Sequence, residues 1–426
     1  MSILERVQSA KKASIALGAI STEEKNRVLS SIANELSAQA PAILEANVRD
    51  MAEASQANLS KPLLKRLAFD QKKLDGVIDG IRSLLNLPDP VGKVLSETEL
   101  DDGLTLRQVT CPIGVIGIIF EARPDALVQI STLCLKSGNA AVLKGGSEAL
   151  NTNRELARVI REASDKTGLK SDWLQLLETR EDVREMLKMD DYIDLIIPRG
   201  SNAFVKYIME NSNIPVLGHA DGICHVFIDE KADIDMACDI AIDSKCQYVS
   251  VCNAMETLLV HQAIAPKLLP VLCEKYKERG TRLLGCEHTR AIVPMEAATD
   301  KDWDTEYLDN VLSIKIVDDL ASAIEHINTH GSGHTDVIVT QDETAANTFM
   351  NLVDSGDVFW NCSSRFADGF RFGLGAEVGI STNKIHARGP VGLEGLVIYK
   401  WRLAGHGQIV ADYAEGRKHF THRKLK

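Results

Sequence analysis

One stretch of this 426-residue sequence pairs a nucleophile with a setting that suits it. In "SKCQYVSVCNAMETLLVH", Cys252 lies in a small polar loop just before a strongly apolar strand, with Asn253 beside it. A thiolate at such a junction can attack an acyl carbon, and the backbone N–H groups of the turn can both lower the thiol pKa and hold a developing oxyanion. A free cysteine is more often a small buried apolar side chain, and eight others share the chain: Cys111, Cys134, Cys224, Cys238, Cys246, Cys273, Cys286 and Cys362. Their odd total, scattered without C-x-x-C pairs, fits reduced thiols in a cytosol better than a disulfide framework or a zinc knuckle, and no metal is expected.

A second group of residues suits a nucleotide. "GNAAVLKGGSEA" sets Lys144 at the end of an apolar run, followed by Gly145, Gly146 and Ser147. A lysine there can reach a ribose or phosphate, and the glycines allow close approach of backbone to a ligand. Taken alone, the pattern also fits a glycine turn with a surface lysine. The dinucleotide fingerprint G-x-G-x-x-G is absent, and "GLGAEVG" at 373–379 has the wrong spacing and precedes no helical pattern.

Elements must carry these residues. Residues 1 to about 87 read as helical: Ser21 and Glu24 form a capping box, then Val28, Leu29, Ile32 and Leu36 recur at helical spacing. A further stripe of Val77, Ile78, Ile81, Leu84 and Leu85 begins after Asp70 and stops at Pro88 and Pro90. "VGKVLSE" and "LTLRQVT", separated by "DDG" at 101–103, read as a hairpin. From residue 112 apolar runs alternate with amphipathic stretches: "GVIGIIF", "NAAVLKG", "YIDLIIP", "IPVLG" and "ICHVFID" are expected strands. A second series follows Cys252, with "METLLVH", "RAIV", "SIKIV", "TDVIVT" and "DVFWN". Such alternation implies parallel, helix-covered sheets in two α/β domains, with ligands at the carboxyl ends of the strands. "LEGLVIYKWRLAG" adds a late strand.

Composition narrows the partners. A net charge of −12 argues against nucleic acid, and no window approaches the ~18 apolar residues of a membrane span. The first dozen residues mix charges without the apolar core of a signal peptide, so a soluble, cytoplasmic protein is expected.

Six motifs in order, "CPIGVIGIIFEARPDAL", "SGNAAVLKGGSEA", "DLIIPRGS", "VCNAMETLLVH", "FGLGAEVGIST" and "HARGPVGLEGL", resemble the aldehyde dehydrogenase superfamily over nearly the whole length, and most closely its branch that reduces γ-glutamyl phosphate. The resemblance implies an aldehyde dehydrogenase-like α/β fold: a NADPH-binding domain (1–92 and 111–222), a catalytic domain (223–390), and a small β oligomerisation flap with the C-terminal segment (93–110 and 391–426). It makes Cys252 the nucleophile, with Asn253 beside it as the second expected catalytic residue, and Lys144 the lysine on the adenosine ribose with Gly145, Gly146 and Ser147. Gly200 and Ser201 would lie along the cofactor. Substrate contacts are expected from Glu121 and Arg123 in "FEARP" and from Arg388 in "HARGP", because a phosphate and an α-carboxylate both call for guanidinium partners.

Departures from general members sharpen the expectation. Hydrolytic members carry a water-activating glutamate where this chain has "VLGHADG", and an oxyanion asparagine where it has Ala122. His219 in that stretch has two readings, a group that orients another near the thiol and, as the better default, a packed or surface side chain. Ser147 stands where NAD-preferring members often place an acidic residue, which favours NADPH although Glu148 is adjacent. Val249 replaces a proline usual in the narrower branch. The implied reaction reduces L-glutamyl 5-phosphate to L-glutamate 5-semialdehyde through a Cys thioacyl intermediate, in a homo-oligomer, with a separate glutamate 5-kinase as supplier and candidate partner. Two alternatives are an aldehyde-oxidising dehydrogenase and a binding scaffold that has lost catalysis.

Overall fold

The structure, a computed structural model, describes residues 2–426. Two compact units emerge: residues 1–200, 207–216 and 392–426 form the first, and residues 201–206 and 217–391 the second. Among the described residues no helix is long and apolar enough to cross a membrane.

The first unit opens with five helices: Ile3–Leu17, Thr22–Ala38, Ala40–Gln56, Lys61–Leu67 and Gln71–Leu85. The Ser21 capping box forms as its spacing demands, Glu24 N–H donating to Ser21 Oγ at 3.2 Å and Ser21 N–H to Glu24 Oε2 at 2.9 Å. Asp70 caps the fifth helix through Lys73 N–H, and the apolar stripe behind it is buried. These helices cover a four-stranded parallel sheet in the order Leu174–Leu177, Ala140–Lys144, Val115–Phe120, Leu195–Arg199. Every residue of its two central strands is buried, which is why those strands read as unbroken apolar runs rather than alternating ones. A separate antiparallel sheet orders Val397–Ala404, Leu104–Pro112, Val94–Asp101 and Arg423–Lys424. The late strand thus pairs with the hairpin along eight residue pairs.

The second unit is built on a seven-stranded parallel sheet: Glu296–Ala297, Arg282–Gly285, Val311–Val317, Met255–His261, Cys224–Ile228, Thr335–Val339 and Asp357–Trp360. Val226, Leu258, Ile314 and Val337 fill its core with helix residues such as Leu268 and Leu272. A short antiparallel pair, Gly379–Ser381 with Gly389–Val391, lies outside this sheet.

Two expected strands are different in the structure. "IPVLG" makes only one bridge, Val216 to Ile196, because Pro215 has no N–H with which to extend a ladder. "RAIV" falls in the helix Glu287–Ile292, since a four-residue apolar run has no periodicity to separate helix from strand. The short strands Leu174–Leu177 and Arg282–Gly285 escaped the sequence for the same reason.

Asp357 begins the edge strand of the second sheet with its carboxyl buried, and burial pushes its pKa from 3.8 up to about 7. Its folded value exceeds its unfolded one, so the stability it contributes is complete below about pH 3.8 and lost as pH rises through about 7. Asp357→Asn is expected to remove that dependence. The difference in unfolding free energy between wild type and variant should fall by a few kcal/mol, on the order of magnitude, from pH 4 to pH 8 in denaturant titrations.

Candidate active site

Cys252 stands in the loop between the helix Ile234–Cys246 and the strand Met255–His261. It is half-buried, whereas Cys134, Cys224, Cys238 and Cys273 are buried. Burial pushes the thiols of Cys134, Cys224 and Cys238 upward and that of Cys273 to about 11, so these four are poor nucleophiles at neutral pH. Around Cys252 the backbone is tightly held. Cys224 Sγ donates to the Cys252 carbonyl at 3.1 Å. Asn253 is buried; its Nδ2 donates to Ala367 O at 2.8 Å, and its own carbonyl accepts from Ser364 Oγ at 2.7 Å. Asn253 therefore anchors the Cys252 loop to residues 364–367.

Gly222 presses on Cys252 from the other side. A Cβ at position 222 would lie 2.2 Å from the Cys252 carbonyl oxygen and 2.6 Å from its Cα, both unyielding backbone atoms. The turn before Gly222 is held by Asn202, whose Nδ2 donates to Asp221 at 2.8 Å and to Glu306 Oε2. Glu306 also accepts from the Gly222 N–H. Gly222→Ala must displace the Cys252 loop, and a misplacement of a reacting group on the order of 1 Å costs about 10²-fold in rate. The expected result is a kcat loss of about that size with a lowered melting temperature, since forcing packed backbone apart costs about 1–3 kcal/mol, read by steady-state kinetics and calorimetry.

Two histidines complete the surroundings. One ring nitrogen each from His219 and His334, together with the Cys252 sulfur, lie within 4.8 Å of one another. His219 Nδ1 sits 2.9 Å from the carbonyl of Ile380, which can only accept, so Nδ1 carries the proton and Nε2 a lone pair. His334 is fully buried, and burial holds its imidazole neutral. Arg365, itself buried, is close enough to Cys252 to interact electrostatically with it; its Nε donates to Gln247 Oε1 at 3.0 Å. Sequence reasoning missed His334, Glu306, Ser364 and Arg365, which come from distant segments and carry no local spacing signal.

In the first unit, Lys144 ends the strand Ala140–Lys144 and is buried, Gly145 and Gly146 follow, and exposed Ser147 opens a short 3₁₀ turn. A Cβ on Gly145 would meet buried Asn153 Nδ2 at 2.1 Å and Phe120 at 2.9 Å, so this glycine is required by close packing. The next helix, Leu150–Lys166, has its N-terminal amides already occupied. Asp50 accepts from Asn151 N–H at 3.0 Å and Thr152 N–H at 2.7 Å. A pyrophosphate seated there in the Rossmann manner would collide with that carboxylate, which accounts for the missing glycine fingerprint. The adjacent Glu148 turns inward and accepts from Ala122 N–H at 2.6 Å, leaving Ser147 outermost. Ala122 sits at φ +42°, a left-handed position unusual for alanine and fixed by this bond. A strand-end lysine, a glycine turn and an outward serine fit the adenosine end of a nicotinamide cofactor.

The remaining expected residues are scattered. Gly200 follows the strand Leu195–Arg199, and the Ser201 carbonyl accepts from Phe204 N–H at 2.9 Å as the helix Asn202–Asn211 begins. Glu121 N–H donates to Arg199 O at 3.0 Å. Arg123 Nη2 pairs with Asp125 at 3.1 Å. Arg388 donates to Asp354 Oδ1 and Asp354 O, each at 2.9 Å, and to Thr382 O at 3.1 Å. A guanidinium so committed would have to leave Asp354 to reach a substrate.

Residues 2–284 match the aldehyde dehydrogenase family. The chain belongs to that family. Among relatives of this aldehyde dehydrogenase, the γ-glutamyl phosphate reductase of Acetivibrio thermocellus is 62% identical over 425 residues, covering 100% of this chain and 99% of the relative. That of Methanosarcina barkeri is 51% identical, covering 99% and 97%. The crystal structure of γ-glutamyl phosphate reductase from Thermotoga maritima superposes with a TM-score of 0.94 at 40% identity, covering 96% of this chain and 100% of that one. The chain is thus an oxidoreductase in the γ-glutamyl phosphate reductase branch of the aldehyde dehydrogenase family, and it takes a nicotinamide cofactor. A glyceraldehyde-3-phosphate dehydrogenase from Methanocaldococcus jannaschii complexed with NADP shares the fold, with a TM-score of 0.62 at 16% identity.

Proposed function

We propose that this enzyme reduces L-glutamyl 5-phosphate with NADPH to L-glutamate 5-semialdehyde and phosphate, the second step from glutamate to proline, through a thioester on Cys252. The observation that carries the reading is the half-buried Cys252 thiol beside His219, an imidazole in the segment where hydrolytic relatives carry a glutamate. The thiol loses its proton, for which the Nε2 of His219 is an acceptor, and the thiolate attacks the acyl carbon while phosphate departs. Backbone N–H groups of the Cys252 turn stabilise the oxyanion, since the Asn253 amide is bound to Ala367 O and the Ala122 N–H to Glu148. Bound NADPH supplies the hydride that takes the thioester to the aldehyde level. Cys252 is then released as a thiolate. No water-activating carboxylate is needed, and one would waste the thioester by hydrolysis.

Lys144, Gly145, Gly146 and Ser147 would hold the adenosine end of the cofactor, with Gly200 and Ser201 along its length. The inward turn of Glu148 favours a 2′-phosphate, because Ser147 is then the exposed neighbour. Glu121, Arg123 and Arg388 remain substrate contacts in this reading, and Arg365 joins them as the guanidinium with electrostatic reach to Cys252. Nine free cysteines support a reducing cytoplasm. A glutamate 5-kinase supplies the labile acyl phosphate and is the candidate partner. The antiparallel sheet that ends in Val397–Ala404 is the oligomerisation flap: this edge strand exposes Tyr399, Trp401 and Leu403, and such an edge invites pairing with a second copy. Light scattering should report a mass of at least two chains.

The reverse assay tests substrate, direction and cofactor together. Glutamate semialdehyde with NADP should yield NADPH only when phosphate or arsenate is present, and more slowly with NAD. Oxidation of the aldehyde to the free acid without either anion would overturn the proposal.

A further inference from the structure

The three groups gathered at the thiol come from three loops, so no spacing in the sequence announces them, and together they have the make-up of a cation site. The orientation of each imidazole is fixed by a bond at Nδ1. His219 Nδ1 donates to Ile380 O at 2.9 Å. His334 Nδ1 lies 2.8 Å from Thr335 Oγ1, whose single proton is directed to Asp357 Oδ2 at 3.4 Å, so the Thr335 oxygen accepts and His334 Nδ1 is the protonated nitrogen. With its proton on Nδ1, each ring turns the lone pair of Nε2 to the side away from that bond, the arrangement by which outer hydrogen bonds prepare histidines for metals. His334 Nε2 is buried and has no hydrogen-bond partner, which is costly unless something else uses it.

The loops are also tied together. Ser332 Oγ accepts from Ile223 N–H at 2.9 Å, and Cys224 Sγ donates to Cys252 O at 3.1 Å, linking the segments that carry His334, His219 and Cys252. Cys252 and His219 keep partial exposure, which provides an entry path. One sulfur and two imidazole nitrogens suit zinc, and a solvent water completes four-coordination. The 4.8 Å spread must contract to about 3.5 Å, the ligand separation that tetrahedral bonds of ~2.1–2.3 Å impose, a movement within reach of side-chain rotation.

We propose that Cys252, His219 and His334 form a binding site for a thiophilic divalent cation of the zinc type, and that its occupation switches the enzyme off by capturing the nucleophile. On binding, the Cys252 S–H bond breaks, an S–metal bond forms and the proton passes to solvent, so no electron is transferred. Metal capture stands on the geometry alone. The inhibition rests on the reading of Cys252 as nucleophile.

The test separates the two. Co²⁺ added to the full-length protein should produce a thiolate-to-cobalt charge-transfer absorption that is absent in Cys252→Ser, and Zn²⁺ should protect Cys252 from iodoacetamide. His219→Asn and His334→Asn should each raise the metal concentration needed for both effects by about tenfold or more. Because His334 is fully buried and its variant can fail to fold, half-exposed His219 carries the decision. A wild-type protein without the absorption, or a His219→Asn protein with an unchanged midpoint, overturns the site. The absorption together with Zn²⁺-insensitive turnover leaves the site in place and overturns the switch.

Discussion

A Cys252→Ser protein is expected to fold and melt like the wild type while losing at least about 10³-fold in phosphate-dependent NADP reduction with glutamate semialdehyde. The size follows from the chemistry: a serine hydroxyl stays protonated at neutral pH, and only a thiolate makes the acyl thioester a readily reduced intermediate. The retained fold follows from the packing. Gly222 packs against the carbonyl and Cα of residue 252 and Cys224 Sγ bonds its carbonyl oxygen, and the exchange of sulfur for oxygen leaves both of these backbone contacts in place. Calorimetry alongside the assay separates chemistry from folding. Undiminished activity would sink the nucleophile assignment, and loss of activity together with the fold would leave Cys252 a structural residue.

The largest stability effect should come from a pair behind the site. Lys245, on the helix Ile234–Cys246, and Glu256, on the strand Met255–His261, meet at 2.5 Å with both side chains fully buried. Glu256 Oε1 also accepts from Leu308 N–H at 3.2 Å, and the Lys245 ammonium lies 5.9 Å from the centre of the Tyr307 ring. Burial pushes the Glu256 carboxyl up to about 7, with Lys245 pulling the other way. Lys245→Met removes the charge that balances a buried carboxylate, a change that costs about 3–5 kcal/mol when one partner is stranded. Lys245→Met/Glu256→Leu should recover most of that loss, because a well-packed apolar pair is nearly neutral relative to an ion pair. The sign with pH follows from the raised carboxyl: in the single variant Glu256 folds best protonated, so the deficit against wild type is smaller at pH 5 than at pH 8. Denaturant unfolding of wild type, Lys245→Met, Glu256→Leu and the double variant at both pH values forms the cycle. Equal deficits in the single and double variants would contradict it.

Much of this protein could be read along the chain, and the reason is periodicity. Buried parallel strands such as Val115–Phe120 and Met255–His261 announce themselves as unbroken apolar runs, and the Ser21 capping box fixes a helix start within four residues. The family could be read in six ordered motifs, and the Cys252 loop and the glycine turn lie within them. Short elements could not: Leu174–Leu177 is too brief to show a period, and "IPVLG" and "RAIV" look like strands until Pro215 and the Cys286-led helix are seen in place. The surroundings of Cys252 were also hidden. Asn253 is an expected catalytic residue, and only the structure shows that its Nδ2 is bound to Ala367 O. Nor does the sequence show that Arg388, an expected substrate contact, is held by Asp354 and would have to leave it to reach a substrate. Of the two readings open for His219, the default of a packed or surface side chain gives way to the other, since it stands with His334 at the thiol.

The sequence by itself determined the family, the parallel α/β layers and the thiol, because each is encoded in residues close together along the chain. Which side chains attend that thiol, and which are spent on holding loops, was decided only by the tertiary structure. Gly222, Cys252, Glu306, His334 and Ser364 are far apart in sequence, and hydrogen bonding and close packing alone bring them to one place. Cys252 is set apart from its buried companions by exposure and neighbours, and neither property exists before the chain has folded.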